Sequence, residues 1–214
     1  MKHEKGKATA KAAGKAGKQT FWGGRMSEAP EEKNVAFCAG RDVAMRPMAD
    51  AVLIPFDVWQ NRVHSTMLAR QGITPKAALR KILAGLDEFE RRAAAGELTL
   101  DPHKEDVHTN IEHFVAEHAG PEFSGYMHTG RSRNDQTTTV VRMYLRAQLL
   151  EFGGALARLV DSLLAAAAAH ADVPMAGFTH YQPASLTTVG HWLAAHAQAL
   201  QRDLGRLLDR KSVV

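Results

Sequence analysis

Apolar side chains recur at helical spacing along most of the chain beyond residue 55. In the segment FDVWQNRVHSTMLARQG, Val58, Val63, Met67 and Leu68 lie near this spacing, and the pattern stops at Gly72. An apolar stripe that returns every three or four residues is typical of a helix with one buried face. The segment therefore predicts a helix that ends at Gly72.

Start and stop signals bound the next two predicted helices. TPKAALRKILAGLDEFERRAAAGE has Thr74 as N-cap and Pro75 at the first helical position, and it closes at Gly96. EDVHTNIEHFVAEHAG predicts a shorter helix that closes at Gly120.

One uninterrupted helical pattern then extends from about Asn134 to His170. At 1.5 Å per residue such a helix spans roughly 55 Å, which is longer than a compact domain of this size needs. It predicts a helical bundle, and an oligomeric one. Gly153 and Gly154 inside it mark a kink, a close helix crossing or simply a weak point. The apolar positions are Val141, Leu145, Leu149, Phe152, Leu156, Leu159 and Leu163.

The segment ADVPMAGFTHYQPASLTT separates this helix from the last predicted one, VGHWLAAHAQALQRDLGRLLDR. Its Pro, Gly and Thr content argues against a continuous helix, and it lies where two long antiparallel helices must reverse. His180 stands at its centre, beside Thr179 and Tyr181. A lone histidine among aromatic residues is more often a packing residue, but a loop at the end of a bundle keeps it available to a ligand.

Composition and charge place the chain in the soluble globular class. It has 214 residues, of which 45% are hydrophobic and 23% charged, with a formal net charge of +4. Six lysines and one glutamate fall within residues 1–20, so the remainder has 21 basic and 22 acidic residues. We expect residues 1–20 to be a disordered basic tail, and contact with nucleic acid is the less favoured alternative.

Several other classes are disfavoured by the sequence. The lysine-rich tail is not followed by an apolar segment and has no arginine, so we expect no secretory or mitochondrial leader and a cytoplasmic protein. No uncharged apolar run approaches eighteen residues, so no membrane span is expected. Cys38 alone forms no intramolecular disulfide. The histidine pairs in HTNIEH and HWLAAH are five residues apart, so we expect no metal site.

The segment HTGRSRNDQ, residues 128–136, precedes the long predicted helix. Ser132, Asn134 and Asp135 can each cap a helix, and a helix N-terminus attracts anions through its free N–H groups. Two neighbouring arginines add bidentate donors that suit a carboxylate or a phosphate. A capped helix with solvated arginines explains the same residues equally well.

Four motifs, in this order and spacing, resemble the argininosuccinate lyases of the fumarase/aspartase superfamily: FWGGR, EDVHTNIE, HTGRSRNDQ and GFTHYQPAS. The resemblance extends from Phe21 to about Arg210. It implies a mainly α fold, with an N-terminal helical domain over residues 21–127. Residues 128–214 would form the first part of a central domain of long antiparallel helices. The family assembles this domain into a twenty-helix bundle in a homotetramer.

The resemblance also implies a reaction and a site. The family cleaves argininosuccinate reversibly to arginine and fumarate without metal or organic cofactor. His180 matches the active-site histidine assigned to proton transfer, and a histidine near neutral pKa suits that role. Hydrogen-bond donors aimed at the substrate carboxylate stabilise the enediolate-like transition state. The substrate-binding positions implied are His108, Ser132, Arg133, Asn134, Asp135, Thr179 and Gln182.

Two departures from the family pattern limit these expectations. FCAGRDVAMRPMAD has Gly40 in the apparent place of a substrate-binding serine. The sequence also stops at DRKSVV, before the family's GSSxMPxKxN loop, which carries a catalytic serine and a lysine. We therefore expect these residues alone to be inactive, with a possible separately encoded C-terminal half. A non-catalytic remnant and another superfamily lyase, such as one acting on adenylosuccinate, are the alternatives.

Overall fold

The structure is a computed structural model that describes residues 30–40 and 47–209. The predicted tail over residues 1–20 and the FWGGR motif lie outside the described residues. Within them, the predicted mainly α fold is confirmed. The helices are α1 (Glu32–Cys38), α2 (Ile54–Arg70), α3 (Lys76–Ala94), α4 (Val107–Ala119), α5 (Pro121–Ser124), α6 (Arg133–Ala169) and α7 (Val189–Leu208), and the strands are β1 (Pro174–Thr179) and β2 (Gln182–Thr188).

Helices α2, α3 and α4 pack around one apolar core. On α3, Ile82, Leu86 and Phe89 recur at steps of four and three, so they share one face and are fully buried. Burying each such side chain contributes roughly 1.5–3 kcal/mol. The first turns of α6 close the core with Val140, so the start of the long helix is anchored on the N-terminal helices.

The predicted ends of the helices agree with the structure except at the start of α3. Thr74 is not the N-cap of α3: Pro75 occupies that position, the helix begins at Lys76, and no side chain caps it. Thr74 is instead buried, 3% exposed. At the start of α6, Ser132 is the N-cap and forms a capping box with Asp135, as the capping propensity of both residues predicts.

Helices α6 and α7 pack along each other as an antiparallel pair. A Cβ atom added at Gly153 would lie 3.0 Å from Leu207 Cδ2, so this glycine marks a close helix crossing. One added at Gly190 would lie 2.5 Å from the carbonyl oxygen of Ala167. Both glycines therefore permit the approach of the two helices, and α6 continues through Gly153 and Gly154.

The segment between these helices forms an antiparallel hairpin, where the sequence predicts only a non-helical reversal. Thr179 pairs with Gln182, which leaves His180 and Tyr181 as a two-residue turn. Both turn residues have positive φ, 48° and 62°. Two-residue turns with positive φ at both positions match the twist of the flanking strands, and they usually carry Gly, Asn or Asp.

Much of the α6 surface is apolar and exposed. Leu150 and Phe152 are 70% and 60% exposed. An 18-residue window of α6 is apolar enough to cross a membrane by length and composition, and 17% of it is buried. The same criterion is met by the core helices of soluble bundles, so it does not distinguish a lipid-facing helix from one covered by protein.

Candidate active site

The N-terminal corner of α6 is built around its cap. Asp135 N–H donates to Ser132 Oγ at 3.3 Å, and Ser132 N–H donates to Asp135 Oδ2 at 3.2 Å. These two exposed side chains, which the resemblance assigns to substrate binding, are thus engaged in holding the first turn. Asn134 lies between them, is exposed and belongs to the same turn. Asn134 is the residue of this motif best placed to meet a ligand.

Arg133 is held by an acidic side chain. Its Nη1 and Nη2 donate to the two oxygens of Glu112 on α4, at 3.1 and 3.0 Å. Nη1 also donates to Gln136 Oε1 at 2.7 Å. The bidentate carboxylate that the sequence predicts for this guanidinium is therefore supplied by the protein itself.

Arg131 is turned inward rather than solvated. Its Nη2 donates to Asn61 Oδ1 on α2, while Nε and Nη1 are buried without a hydrogen-bond partner. Burial lowers the pKa of Arg131, and the nearby carboxylates of Asp57 and Glu112 act in the opposite direction. This guanidinium fixes the HTGRSRNDQ segment to α2.

His108 lies beneath α6, only 2% exposed. Its Nδ1 is 3.0 Å from Oδ1 of Asp57, which is fully buried, and its Nε2 is 3.2 Å from Thr137 Oγ1. Gln136 Nε2 donates to the same Asp57 oxygen at 2.9 Å. The resemblance places this histidine near the site, and in the structure it supports the first turns of α6 from below.

A second histidine joins this corner. His64 Nε2 lies 2.9 Å from the carbonyl oxygen of Thr129. Burial lowers the pKa of His64; the Thr129 hydrogen bond raises it, and Arg131 and His128 lower it. The neutral ring is therefore favoured, and it donates to the Thr129 carbonyl through Nε2–H.

Gly40 does not offer room for the serine that the family pattern places there. Its φ is +63°, and a Cβ atom at this position would lie 2.5 Å from the Ala49 Cβ. A side chain would strain the backbone and displace Ala49. The glycine is thus required by the local packing of this chain.

The remaining predicted residues lie at the tip of the hairpin. Thr179, His180 and Gln182 are all exposed, and Tyr181 is 98% exposed. The positive φ of His180 and Tyr181 stores backbone strain of about 1 kcal/mol or more per residue. Such strain is often found at functional sites.

The structure does not bring the hairpin tip to the α6 corner within one chain. The 37 residues of α6 span about 55 Å. His180 is eleven residues beyond Ala169, a stretch that covers at most about 40 Å even when fully extended. His180 therefore lies at least about 15 Å from the α6 N-terminus.

Sequence reasoning missed the acidic and amide residues that organise the corner. Asp57, Asn61 and Ser65 are buried at intervals of four on α2. That repeat of polar residues on an apolar helix face was the available signal. For Glu112 on α4, the available signal was its position inside the EDVHTNIE motif. Among the described residues, no group of three or more His, Cys, Asp or Glu side chains is arranged to hold a metal.

The sequence profile of a protein family described as Lyase matches residues 38–214. The chain belongs to this lyase family. Its curated relatives include the argininosuccinate lyases of Streptomyces coelicolor, 40% identical over 187 residues, and Thermobifida fusca, 41% identical over 189 residues. The alignments cover 87% and 88% of this chain but 38% of each relative. The chain thus spans less than two fifths of the length of these relatives.

Solved structures agree with this membership. An EDDS lyase variant with bound fumarate has a TM-score of 0.65 at 30% identity, covering 86% of this chain and 35% of that one. The fumarate lyase:delta crystallin of Brucella melitensis has a TM-score of 0.63 at 20% identity, covering 80% and 43%. This second likeness shows the fold alone. The chain is therefore a lyase-family member with the helical fold of the fumarase/aspartase superfamily.

Proposed function

We propose that this chain is part of a carbon–nitrogen lyase that cleaves argininosuccinate reversibly to arginine and fumarate. The support is the identity of about 40% to argininosuccinate lyases and the HTGRSRNDQ and GFTHYQPAS motifs. Asn134 and the free N–H groups of the first α6 turn bind a substrate carboxylate. His180 transfers a proton, and Thr179 and Gln182 position the substrate beside it.

The distance between the two motif regions carries a second part of the proposal. Because His180 cannot reach the α6 N-terminus of its own chain, the complete site combines the hairpin of one copy with the α6 corner of another. The exposed apolar faces of α6 and α7 supply the surface for such a homo-oligomer, a tetramer by resemblance. Leu145, Leu159, Leu164 and Trp192 are each between 44% and 50% exposed, and patches of this kind are usually buried by a partner.

Electrostatics explain why these groups suit the reaction. Proton removal next to a carboxylate builds negative charge on the carboxylate oxygens. Donors aimed at those oxygens stabilise the transition state more than the ground state. The N-terminal turn of α6 offers such donors, while Arg133 neutralises Glu112 and the Asp135 carboxylate is engaged in the cap.

The test uses a completed protein, in which a relative's C-terminal segment is fused to this chain or expressed with it. Fumarate release from argininosuccinate is measured per assembled oligomer, together with the melting temperature. His180→Asn is expected to lower the maximal rate by roughly 10²–10⁴-fold, the usual contribution of a general acid or base. His170→Asn replaces another exposed histidine and serves as the matched control. A less stable His180→Asn protein with an unchanged rate per site would remove His180 from the mechanism.

A second substrate is favoured by one observation, the likeness to EDDS lyase at 30% identity. That neighbour is an EDDS lyase with bound fumarate, and fumarate is also a product of the cleavage proposed here. The same completed protein therefore decides between the two substrates: faster fumarate release from EDDS than from argininosuccinate would replace the proposed substrate. Release from neither compound by a folded oligomer would favour a non-catalytic protein.

A further inference from the structure

A buried carboxylate and a helix hydroxyl bracket the His108 ring. Asp57 Oδ1 lies 3.0 Å from Nδ1, and Thr137 Oγ1 lies 3.2 Å from Nε2. Asp57 is fully buried on α2, His108 is nearly so on α4, and Thr137 is half-buried on α6. Three helices thus contribute one side chain each to a cluster of polar atoms, in which the Asp57–Nδ1 contact is close but lacks the alignment of a hydrogen bond.

We propose that the Asp57 carboxylate fixes the direction of the His108–Thr137 hydrogen bond, so that the Thr137 oxygen is an obligate acceptor toward a ligand at the α6 corner. A carboxylate oxygen 3.0 Å from Nδ1 repels a bare nitrogen lone pair and attracts a proton, so the ring carries its hydrogen on Nδ1. A ring with its single hydrogen on Nδ1 has a bare Nε2, which accepts the hydrogen of the Thr137 hydroxyl. With its only hydrogen committed, Thr137 Oγ1 has just lone pairs left to offer.

The position of Thr137 makes this polarity relevant to binding. Thr137 follows Asn134 by three residues, so both side chains lie on one face of the helix. Asn134 is exposed, and Thr137 is partly so. Nearby Thr139 instead donates to the carbonyl oxygen of Asp135 at 2.8 Å, in the manner usual for threonine in a helix.

The acceptor selects the ligand group that contacts it. A ligand N–H or O–H group gains a hydrogen bond at Thr137 Oγ1, whereas a carboxylate oxygen meets a second acceptor and is repelled. If the proposed function holds, Thr137 faces the nitrogen-bearing part of the substrate, and the carboxylate lies toward the α6 N-terminus. In this scheme Asp57 is a positioning residue that acts through His108.

The tautomer of His108 tests this assignment without substrate, so its failure is distinct from failure of the proposed function. Long-range ¹H–¹⁵N correlation spectra of the ¹⁵N-labelled 214-residue chain report which imidazole nitrogen carries a proton. We expect a protonated Nδ1 and an unprotonated, hydrogen-bonded Nε2. The His108→Gln variant assigns the ring, and the single ring shifted by Thr137→Val provides a second assignment.

Two matched valine variants complete the test. Thr137→Val is expected to shift the Nε2 resonance toward that of a nitrogen without a hydrogen bond, while Nδ1 stays protonated. Thr138→Val makes the same change at the next, exposed position of α6 and is expected to leave both His108 nitrogens unchanged. A proton on Nε2 in the unsubstituted chain, alone or as imidazolium, overturns the proposal. An Nε2 resonance unmoved by Thr137→Val does the same.

Discussion

Arg133 on α6 and Glu112 on α4 form a bidentate ion pair, with Nη–Oε distances of 3.1 and 3.0 Å. The pair is largely shielded, since the two side chains are 27% and 18% exposed. It joins the EDVHTNIE motif to the HTGRSRNDQ motif, which are some twenty residues apart in the sequence. The pair therefore orients the α6 corner and neutralises a guanidinium that would otherwise compete for a substrate carboxylate.

Replacing Glu112 by glutamine is expected to loosen this corner. The amide keeps one acceptor but loses the charge, so we expect a destabilisation of about 1–2 kcal/mol in urea unfolding. Glu117→Gln makes the same change at an exposed position of the same helix and is expected to lie within about 0.5 kcal/mol of the unsubstituted chain. Equal effects of the two substitutions would mean that the Arg133 pair does not organise the corner.

The contact between α6 and α7 depends on Gly190. Its added Cβ would lie 2.5 Å from the Ala167 carbonyl oxygen and 2.6 Å from the Ala171 Cα. Both are backbone atoms, so Gly190→Ala is expected to destabilise the chain by about 1–3 kcal/mol. Gly205→Ala, on the same helix with no atom within 4 Å, is expected to stabilise it by up to about 1 kcal/mol. A neutral Gly190→Ala would refute the close approach.

His64 is expected to make stability depend on pH. Its pKa lies below the ordinary value of 6.5 in the folded chain, chiefly because burial disfavours the charged ring. The unfolded chain then binds a proton that the folded chain does not, so stability falls as pH drops below 6.5. The loss is complete once the pH is below the folded pKa.

The His64→Gln variant isolates this contribution. Glutamine keeps an N–H donor for the Thr129 carbonyl but does not titrate. Urea unfolding at pH 7 and pH 5 is expected to give a smaller difference for His64→Gln than for the unsubstituted chain. The same difference in both proteins would show that His64 is not the group responsible.

The state of assembly is open to a direct check. The exposed apolar residues of α6 and α7 exceed what a helix pair leaves uncovered in a monomer. We expect the 214-residue chain to form oligomers at micromolar concentration, measured by sedimentation velocity. A well-behaved monomer would contradict the proposed contact between copies.

The long helices could be predicted from the sequence because their signals are local. The apolar repeat of α6 relates residues three or four positions apart, and the capping potential of Ser132 involves only the first turn of the helix. The hairpin was missed because His180 and Tyr181 lack the Gly, Asn or Asp that usually marks such a turn. The pairing of Asp57 with His108 links residues about fifty positions apart, so no local pattern contained it.

The site residues also differ in whether a local sequence signal identifies them. The motifs identify His108, Arg133 and Asn134 as candidate site residues. The side chains that contact them depend on tertiary packing. Glu112 occupies Arg133, and Thr137 contacts His108. The sequence left open whether the two arginines bind a carboxylate or are solvated, whereas the structure turns Arg131 toward Asn61.

The proposed site combines Asn134 of one copy with His180 of another. It is tested by co-assembling two inactive variants of the completed protein, Asn134→Leu and His180→Asn, in equal amounts. If the residues come from different copies, about a quarter of the sites in a symmetric oligomer receive both intact residues. Fumarate release from argininosuccinate should then recover to about a quarter of the unsubstituted rate, while each variant alone stays inactive. If both residues act within one copy, the mixture contains no intact site, and a mixture as inactive as its parents would contradict a site shared between copies.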